Sequence, residues 1–336
     1  MSAPITSLGE RALIARLHDR IELRPAHVLV GIGDDAAVLR PERNEQLVVT
    51  TDSLVEDVHF RRPRTPWDAI GWKALAVNLS DLAAMGARPT ASLLSLILPD
   101  TLTVDEFDAL VDGYLALSRA TKTPLVGGNI SRSPGPLVAD VTVLGSVRTR
   151  RILRRAGAQP DDVLYVSGSI GTSSAGLALL DAGVERGALD ADALACLARH
   201  ERPEPRLRLG HVIGRTGTAR AAMDLSDGLA QAARALAEAA GLGVVVEAGA
   251  LPVDAGTVRV AEAAGVTPAA FALTAAEDYE LAFAVPARRT RRFEAAARRD
   301  RDVPVTRVGR FVADPGAWVE WTDGTRSALP AGFEHR

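Results

Sequence analysis

The chain has 336 residues, 47% of them hydrophobic and 24% charged, with both signs interspersed and a formal net charge of −3. That length holds about two ordinary domains with enough apolar residues for a core in each, and the balanced charge excludes a broad basic surface for nucleic acid. A single cysteine, Cys196, excludes an intrachain disulfide framework or a thiolate metal site.

The opening MSAPITSLGERALIARL carries Glu10, Arg11 and Arg16, which interrupt the apolar core a signal peptide needs, and no later apolar run approaches the ~18 residues of a membrane span. A cytoplasmic protein is expected. Ser7–Arg20 reads as a helix and HVLVG (His27–Gly31) as a strand. GIGDDA at Gly31–Ala36 then fits the loose dinucleotide template GxGxxA after a strand. Its paired acids argue against that use, because Asp34 and Asp35 would repel a pyrophosphate unless cations intervened. The Walker template GxxxxGK[ST] is absent from the chain.

The strand QLVVTT runs into TTDSLVEDVHF (Thr50–Phe60), which sets Thr50, Thr51 and Asp52 at a strand's C-terminal end, a place where either a turn or a ligand site is built. His59 follows, with no second His or Cys at zinc spacing beside it. Trp67–Met85 reads as a helix whose apolar stripe Ile70, Ala74, Val77, Ala84 includes Asp81. A carboxylate on such a stripe must meet hydrogen-bond donors or a cation, or face a cleft. ASLLSLILP, the helix Val104–Thr121, PLVGG and PLVADVTVLGSV follow in order. A domain boundary is expected near Val147–Arg155, dividing the chain into residues 1–148 and 149–336. The arginines there, Arg148, Arg150, Arg151, Arg154 and Arg155, are either a solvated surface or a polyphosphate clamp.

Beyond the boundary lie the strand DVLYVSG, the loop GSIGTSSAG (Gly168–Gly176), either an ordinary loop or one whose N–H groups receive an anion, and helices at Ser174–Ala182 and Pro205–Arg215. Cys196 sits in an Ala/Leu-rich helical stretch and reads as core filler. DLSDGL (Asp224–Leu229) groups Asp224, Ser226 and Asp227 at a strand-to-helix junction, as a helix cap or as metal ligands. A helix at Asp227–Ala240 and the strand GVVVEA precede AEDYEL (Ala276–Leu281), either a solvated turn or a place where Glu277 receives a positively charged ring. The strands ELAFAV and VTRVGRF flank a last helix at Ala287–Arg299. Short apolar strands alternating with longer helices indicate an α/β or α+β fold.

Counted together, Asp34, Asp35, Asp52, Asp81, Asp224 and Asp227 are six carboxylates with no Cys or multiple-His ligand set. Hard oxygen donors favour Mg²⁺, and several Mg²⁺ ions held by Asp serve to position a polyphosphate, so phosphoryl transfer is the leading class. A calcium-stabilised structural protein satisfies the same acids.

GIGDDAAVL, TTDSLVEDVHF, KALAVNLSDLAAMGARP, DLSDGL and EDYEL, in this order, resemble the thiamine-monophosphate kinases, from Gly31 to about Phe333. The wider superfamily includes aminoimidazole-ribonucleotide synthetase, selenophosphate synthetase and a hydrogenase-maturation protein. The resemblance implies ATP-dependent phosphorylation of thiamine monophosphate to thiamine diphosphate with several Mg²⁺ ions and no covalent enzyme intermediate. It also implies a two-domain aminoimidazole-ribonucleotide synthetase-like fold, with an N-terminal domain that binds ATP and Mg²⁺ and dimerises through its sheet. The same resemblance implies a C-terminal α/β domain that closes over nucleotide and substrate.

Carried over by motif, Asp35, Thr51, Asp52, Asp81 and Asp224 resemble Mg²⁺ ligands, joined by Thr50 and Asp227, with Asp52, Asp81 and Asp224 central to catalysis. Gly128, Asn129, Arg155 and Ser226 resemble ATP contacts. His59, Glu277 and Phe333 resemble substrate contacts. Two departures stand out: Asn129 occupies a position usually held by an acidic metal ligand, and Ala275–Ala276 replace glycines before EDYEL. Selenophosphate synthesis is disfavoured because it expects a reactive N-terminal Cys, and hydrogenase maturation because it expects a C-terminal one. Another acceptor for the same chemistry, or a thiamine phosphate or nucleotide-binding protein without turnover, are the competing readings.

Overall fold

Residues 3–300 and 303–332 are described in the computed structural model of the chain, which divides into two units, Met1–Leu82 with Arg88–Thr149 and Ala83–Ala87 with Arg150–Arg336. In the first unit, α1 (Glu10–His18) precedes two short antiparallel strands, β1 (Val28–Val30) and β2 (Val38–Leu39). GIGDDA lies between these strands. A strand rather than a helix follows its glycines, so the dinucleotide arrangement, which needs a helix N-terminus there, is not formed.

The unit continues with β3 (Gln46–Val55), α2 (Trp67–Ala84), β4 (Arg88–Pro99), α3 (Val104–Thr121), β5 (Leu125–Ser133) and β6 (Val138–Val147). Its four-stranded sheet has the order β3-β6-β4-β5 and is antiparallel except for the β4–β5 pair. The helix limits predicted for α3 are the observed ones, because a capping box fixes its start: Thr103 and Glu106 satisfy each other's backbone N–H groups. Glycine lets α2 and α3 touch, since a Cβ on Gly71 would stand 1.8 Å from the Leu110 carbonyl oxygen, and one on Gly113 would stand 1.8 Å from that of Asp68. Leu82 of α2 presses on Gly145 of β6, so the helices cover the face formed by Leu94, Leu96, Val141 and Val143, all buried. The opposite face carries Leu47 and Val49, which are 66% and 58% exposed.

The second unit runs β7 (Asp162–Ser167), α4 (Thr172–Asp181), α5 (Ala191–Glu201), α6 (Leu207–Thr216), β8 (Ala221–Asp224), α7 (Leu229–Glu238) and β9 (Gly243–Glu247). There follow α8 (Ala255–Ala263), α9 (Pro268–Thr274), β10 (Leu281–Pro286), α10 (Thr290–Asp300), β11 (Val305–Val312), β12 (Gly316–Glu320) and β13 (Arg326–Ala328). Seven strands form one sheet in the order β13-β12-β9-β11-β7-β10-β8, with β9 and β12 its parallel pair.

Alternation along β10 feeds two cores. Ala282 and Ala284 pack with Leu229, Ala233 and Leu236 of α7, while Leu281, Phe283 and Val285 pack with Leu209 and Ile213 of α6 and Phe293 of α10. In the second core, Phe283 stacks on Tyr165 at 5.7 Å, and Phe293 stands edge-on to both rings. The sequence reading did not find β2, α8, α9, β12 or β13, and it marked α5 only as a helical stretch around Cys196 and β8 only as the strand side of the junction at DLSDGL. The two missed helices are rich in alanine and give a 3.6-residue period little contrast, and β2 is only two residues long.

Candidate active site

In the first unit, strand alternation sends Thr50 and Asp52 toward α2. Thr50 Oγ1 donates to Asp81 Oδ2, which supplies the donor that a carboxylate on an apolar stripe requires. Asp52 lies close enough to Asp81 to share a hydrogen bond. Enclosure by protein, the charge and hydrogen bond of Asp81 and the charge of Asp140 push the Asp52 carboxyl up to about 6. Thr51 points to the other face, where its hydroxyl donates to the Val141 carbonyl at 3.0 Å and lies 3.1 Å from Thr142 Oγ1.

His59 sits in the turn after β3, and its Nδ1 accepts the Val55 N–H at 3.1 Å, which fixes that nitrogen as the unprotonated one. Gly128 must be glycine, because a Cβ there would stand 1.8 Å from the Leu94 carbonyl oxygen. Asn129 is exposed, donates to Ser131 Oγ at 2.8 Å and pairs in register with Ser95. Asp34 and Asp35 lie exposed in the loop between β1 and β2, where the Asp35 N–H donates to Asp34 Oδ1 at 2.9 Å. Near that loop, a cavity of about 160 Å³ is lined by His18, Ile21, Arg24, Val28, Ile32 and Val126, among others. Among the described residues no three or more His, Cys, Asp or Glu side chains gather as a metal site. The structure thus joins Thr50, Asp52 and Asp81, sends the Thr51 hydroxyl to the opposite face, and among the described residues gathers no set of three or more acids that includes Asp35.

In the second unit, the antiparallel pairing of β8 with β10 sets Asp224 opposite Leu281 and lays DLSDGL along EDYEL. The Leu225 N–H donates to the Glu280 carbonyl at 2.8 Å, the Tyr279 N–H to that of Leu225 at 3.1 Å, and the Glu277 N–H to that of Ser226 at 2.7 Å. Asp224 is buried at the strand end. The residue in the N-cap position of α7 is Gly228, so none of Asp224, Ser226 and Asp227 occupies it, and the capping role open to these acceptors in sequence is not theirs. Arg155 is exposed, as are three of the other four clustered arginines, which matches a solvated surface. Phe333 lies outside the described residues.

EDYEL is not a solvated turn. Glu277 and Tyr279 hold left-handed backbone at φ 60° and 51°, and between them Asp278 is buried. Its carboxylate accepts the N–H groups of Gly171 at 2.7 Å and Ser173 at 3.1 Å, so the anion received by the GSIGTSSAG loop at the start of α4 is the protein's own. Glu280, fully buried, accepts from Ser167 Oγ, from Arg199 and from Arg206 Nε at 2.8 Å. His200 places Nδ1 3.2 Å from Ser173 Oγ and 3.6 Å from Glu277 Oε2. Sequence reasoning missed Asp278, Glu280, Arg199, His200 and Arg206. The spacing of RHERPEPR carried no recognisable template, and only the fold brings it to EDYEL.

Two family descriptions match the chain: AIR synthase related protein, N-terminal domain, over residues 33–147, and its C-terminal domain over residues 159–322. A thiamine-monophosphate kinase of Salmonella typhimurium is 38% identical over 97% of this chain and 96% of its own length. The crystal structure of thiamine-monophosphate kinase from Stenotrophomonas maltophilia is similar at a TM-score of 0.83 and 39% identity, covering 94% of this chain and 96% of that one. AaThiL complexed with AMPPCP and TMP is similar at a TM-score of 0.77 and 33% identity over the whole of both chains.

Burial pushes the Asp278 carboxyl up to about 7 against the pull of the Gly171 and Ser173 N–H groups, with Glu280 adding to the push and Arg199 opposing it. In the unfolded chain the group returns to the ordinary range near ~3.9, so the folded state holds the proton more tightly between these values. Its contribution is therefore complete in acid and is lost as pH rises through about 7. Urea unfolding from pH 5 to pH 8 is expected to show wild type losing stability relative to Asp278→Asn, which cannot ionise. Parallel curves for the two proteins would assign the dependence to another group.

Proposed function

The chain belongs to the AIR synthase related family and, within it, to the thiamine-monophosphate kinases, and from that membership we propose that it phosphorylates thiamine monophosphate with ATP, yielding thiamine diphosphate and ADP. The observation that carries this reading is the match along the entire chain to AaThiL in complex with AMPPCP and TMP. A terminal phosphate oxygen of thiamine monophosphate attacks the γ-phosphorus of ATP, the bond to the β–γ bridging oxygen breaks, and ADP departs. No residue is covalently modified. The protein's contribution is alignment and charge compensation, the two effects that dominate phosphoryl transfer.

The donor set fits magnesium. Asp52 and Asp81 are like-charged, oxygen-only and close together, an arrangement a divalent cation relieves. Several magnesium ions are assigned, with Asp35, Thr50, Thr51, Asp52, Asp81 and Asn129 as the candidate ligands of the first unit and Asp224 and Asp227 as those of the second. When bound, magnesium offsets the repulsion between the two polyphosphates. Gly128, Asn129, Arg155 and Ser226 are assigned to ATP, and the cavity beside Ile32, lined by His18 and Arg24 together with apolar side chains, is assigned to its base. His59 and Glu277 are assigned to thiamine monophosphate, as is Phe333. Glu277 offers its carboxylate to the cationic thiazolium ring.

On this reading, residues 1–148 serve ATP, magnesium and dimerisation, and residues 149–336 complete the nucleotide and substrate contacts. The support for a homodimer is the open sheet face of the first unit, where exposed Leu47 and Val49 form an apolar strip on an edge strand. Cytoplasmic residence accords with the use of ATP.

Purified protein supplied with ATP, Mg²⁺ and thiamine monophosphate is expected to form thiamine diphosphate, and Asp52→Asn to lower kcat roughly 100-fold or more. No product beside an active control enzyme would refute the assignment. Restoring the acid with Asn129→Asp should lower the Mg²⁺ concentration that gives half-maximal rate. An unmoved titration removes Asn129 from the metal shell. Light scattering is expected to report a dimer that Leu47→Glu converts to monomer. A variant that stays dimeric moves the interface elsewhere.

A further inference from the structure

The end of α5 and the residues after it read RHERPEPR (Arg199–Arg206), a segment to which the assignment above gives no role. Its side chains address EDYEL in turn: Arg199 and Arg206 pair with Glu280, and His200 lies between Ser173 and Glu277. The His200 side chain is 7% exposed and that of Glu277 25% exposed. At 3.2 Å the contact of Nδ1 with Ser173 Oγ is a hydrogen bond. At 3.6 Å Glu277 Oε2 lies beyond hydrogen-bond distance of Nδ1, at a separation that becomes an ion pair when the imidazole is protonated.

Both ends of this contact are anchored independently of it. A Cβ on Gly176 would stand 2.3 Å from the Cys196 carbonyl oxygen and 3.0 Å from His200 Cβ, so α5 lies directly on α4 and the imidazole projects from that close approach. Ser173 is tied to Asp278 through its N–H. Glu277 is held at φ 60° with its N–H on the Ser226 carbonyl. With its backbone fixed, Glu277 retains freedom only in its side-chain torsions, and an imidazole beside Oε2 selects among them.

We propose that His200 is a positioning residue for Glu277. Held at Ser173, the imidazole aims the Glu277 carboxylate at the cationic ring of the acceptor substrate. This role rests on the assignment of Glu277 to thiamine monophosphate. A carboxylate aimed before the substrate arrives spends less conformational entropy on binding, so the effect falls on acceptor affinity.

Steady-state kinetics with thiamine monophosphate and ATP varied separately tests it. His200→Ala and Ser173→Ala are each expected to raise KM for thiamine monophosphate roughly five- to tenfold, the scale of one ordinary hydrogen bond, with kcat and KM for ATP within about twofold of wild type. His200→Asn, which keeps an N–H donor near the Nδ1 position, should recover most of the loss. In a Glu277→Gln background, His200→Ala should add no further rise.

Failure of wild type to make thiamine diphosphate would strike the kinase assignment itself, and a Glu277→Gln KM equal to wild type would strike the role of Glu277. With both of those intact, an unchanged KM in His200→Ala and Ser173→Ala, or full additivity with Glu277→Gln, overturns the positioning role. A fall in kcat and thermal midpoint together, without recovery in His200→Asn, would also overturn it by showing plain packing. If His200→Ala does not fold, Ser173→Ala and His200→Asn carry the same comparison.

Discussion

The Glu280 carboxylate has no access to solvent, and the acid-bearing segments of the second unit are arranged around that constraint. An ion removed from water loses several kcal/mol of hydration, which must be returned by charge and hydrogen bonds of good geometry. Ser167, Arg199 and Arg206 provide them from a strand end, a helix end and a helix start. Even the residue after Ser167 is adapted, since a Cβ on Gly168 would stand 2.1 Å from Glu280 Oε1. Such clusters contribute little net stability but lose about 3–5 kcal/mol when one member is removed, so their value lies in geometry. The geometry obtained here is the start of β10. Ser167 Oγ accepts the Leu281 N–H at 2.9 Å, β10 pairs with β8, and DLSDGL comes to lie along EDYEL.

Acids in the two units are handled differently, and the difference separates structural carboxylates from those suited to chemistry. Glu280 is paired with guanidinium groups, and the N-terminal N–H groups of α4 offset part of the burial that holds the Asp278 carboxyl up at about 7, so the partners of both lie inside the fold. Asp52 instead faces a second carboxylate, and its raised pKa records the repulsion as well as the enclosure. A like-charged pair at a strand end seeks a proton or a cation. Buried acids therefore do not all count as ligands, and what stands opposite each one decides the matter.

That distinction limits what the sequence could reveal. The strands carrying the first-unit acids were legible because β3, β4, β5 and β6 are rich in Val, Ile and Leu, and Asp81 was marked by standing on an apolar stripe. Asp224 and Asp227 were visible as a cluster. The partners were not, because RHERPEPR is more than 70 residues from Glu280 in the chain and lies beside it only through the pairing of β7 with β10 and the packing of α4 on α5. GSIGTSSAG read either as an ordinary loop or as a place for an anion, and nothing local could say that Asp278 would supply one.

Alanines at 275 and 276, where the family resemblance leads one to expect glycine, raised the question of whether the backbone could still approach closely here. Ala275 has φ −70° and ψ 156°, ordinary extended backbone that any residue adopts, and it is buried. The close approach is made from the opposite side. Gly228 has φ 86°, and a Cβ there would stand 1.8 Å from the Ala275 carbonyl oxygen. The Ser174 hydroxyl then secures Ala276, accepting its N–H at 3.0 Å and lying 3.3 Å from its carbonyl oxygen. The requirement for a residue without a side chain thus falls on Gly228, the glycine of DLSDGL, which this chain retains. With Gly228 in place the alanines leave the Glu277 N–H on Ser226, so this departure leaves the carboxylate's anchorage intact.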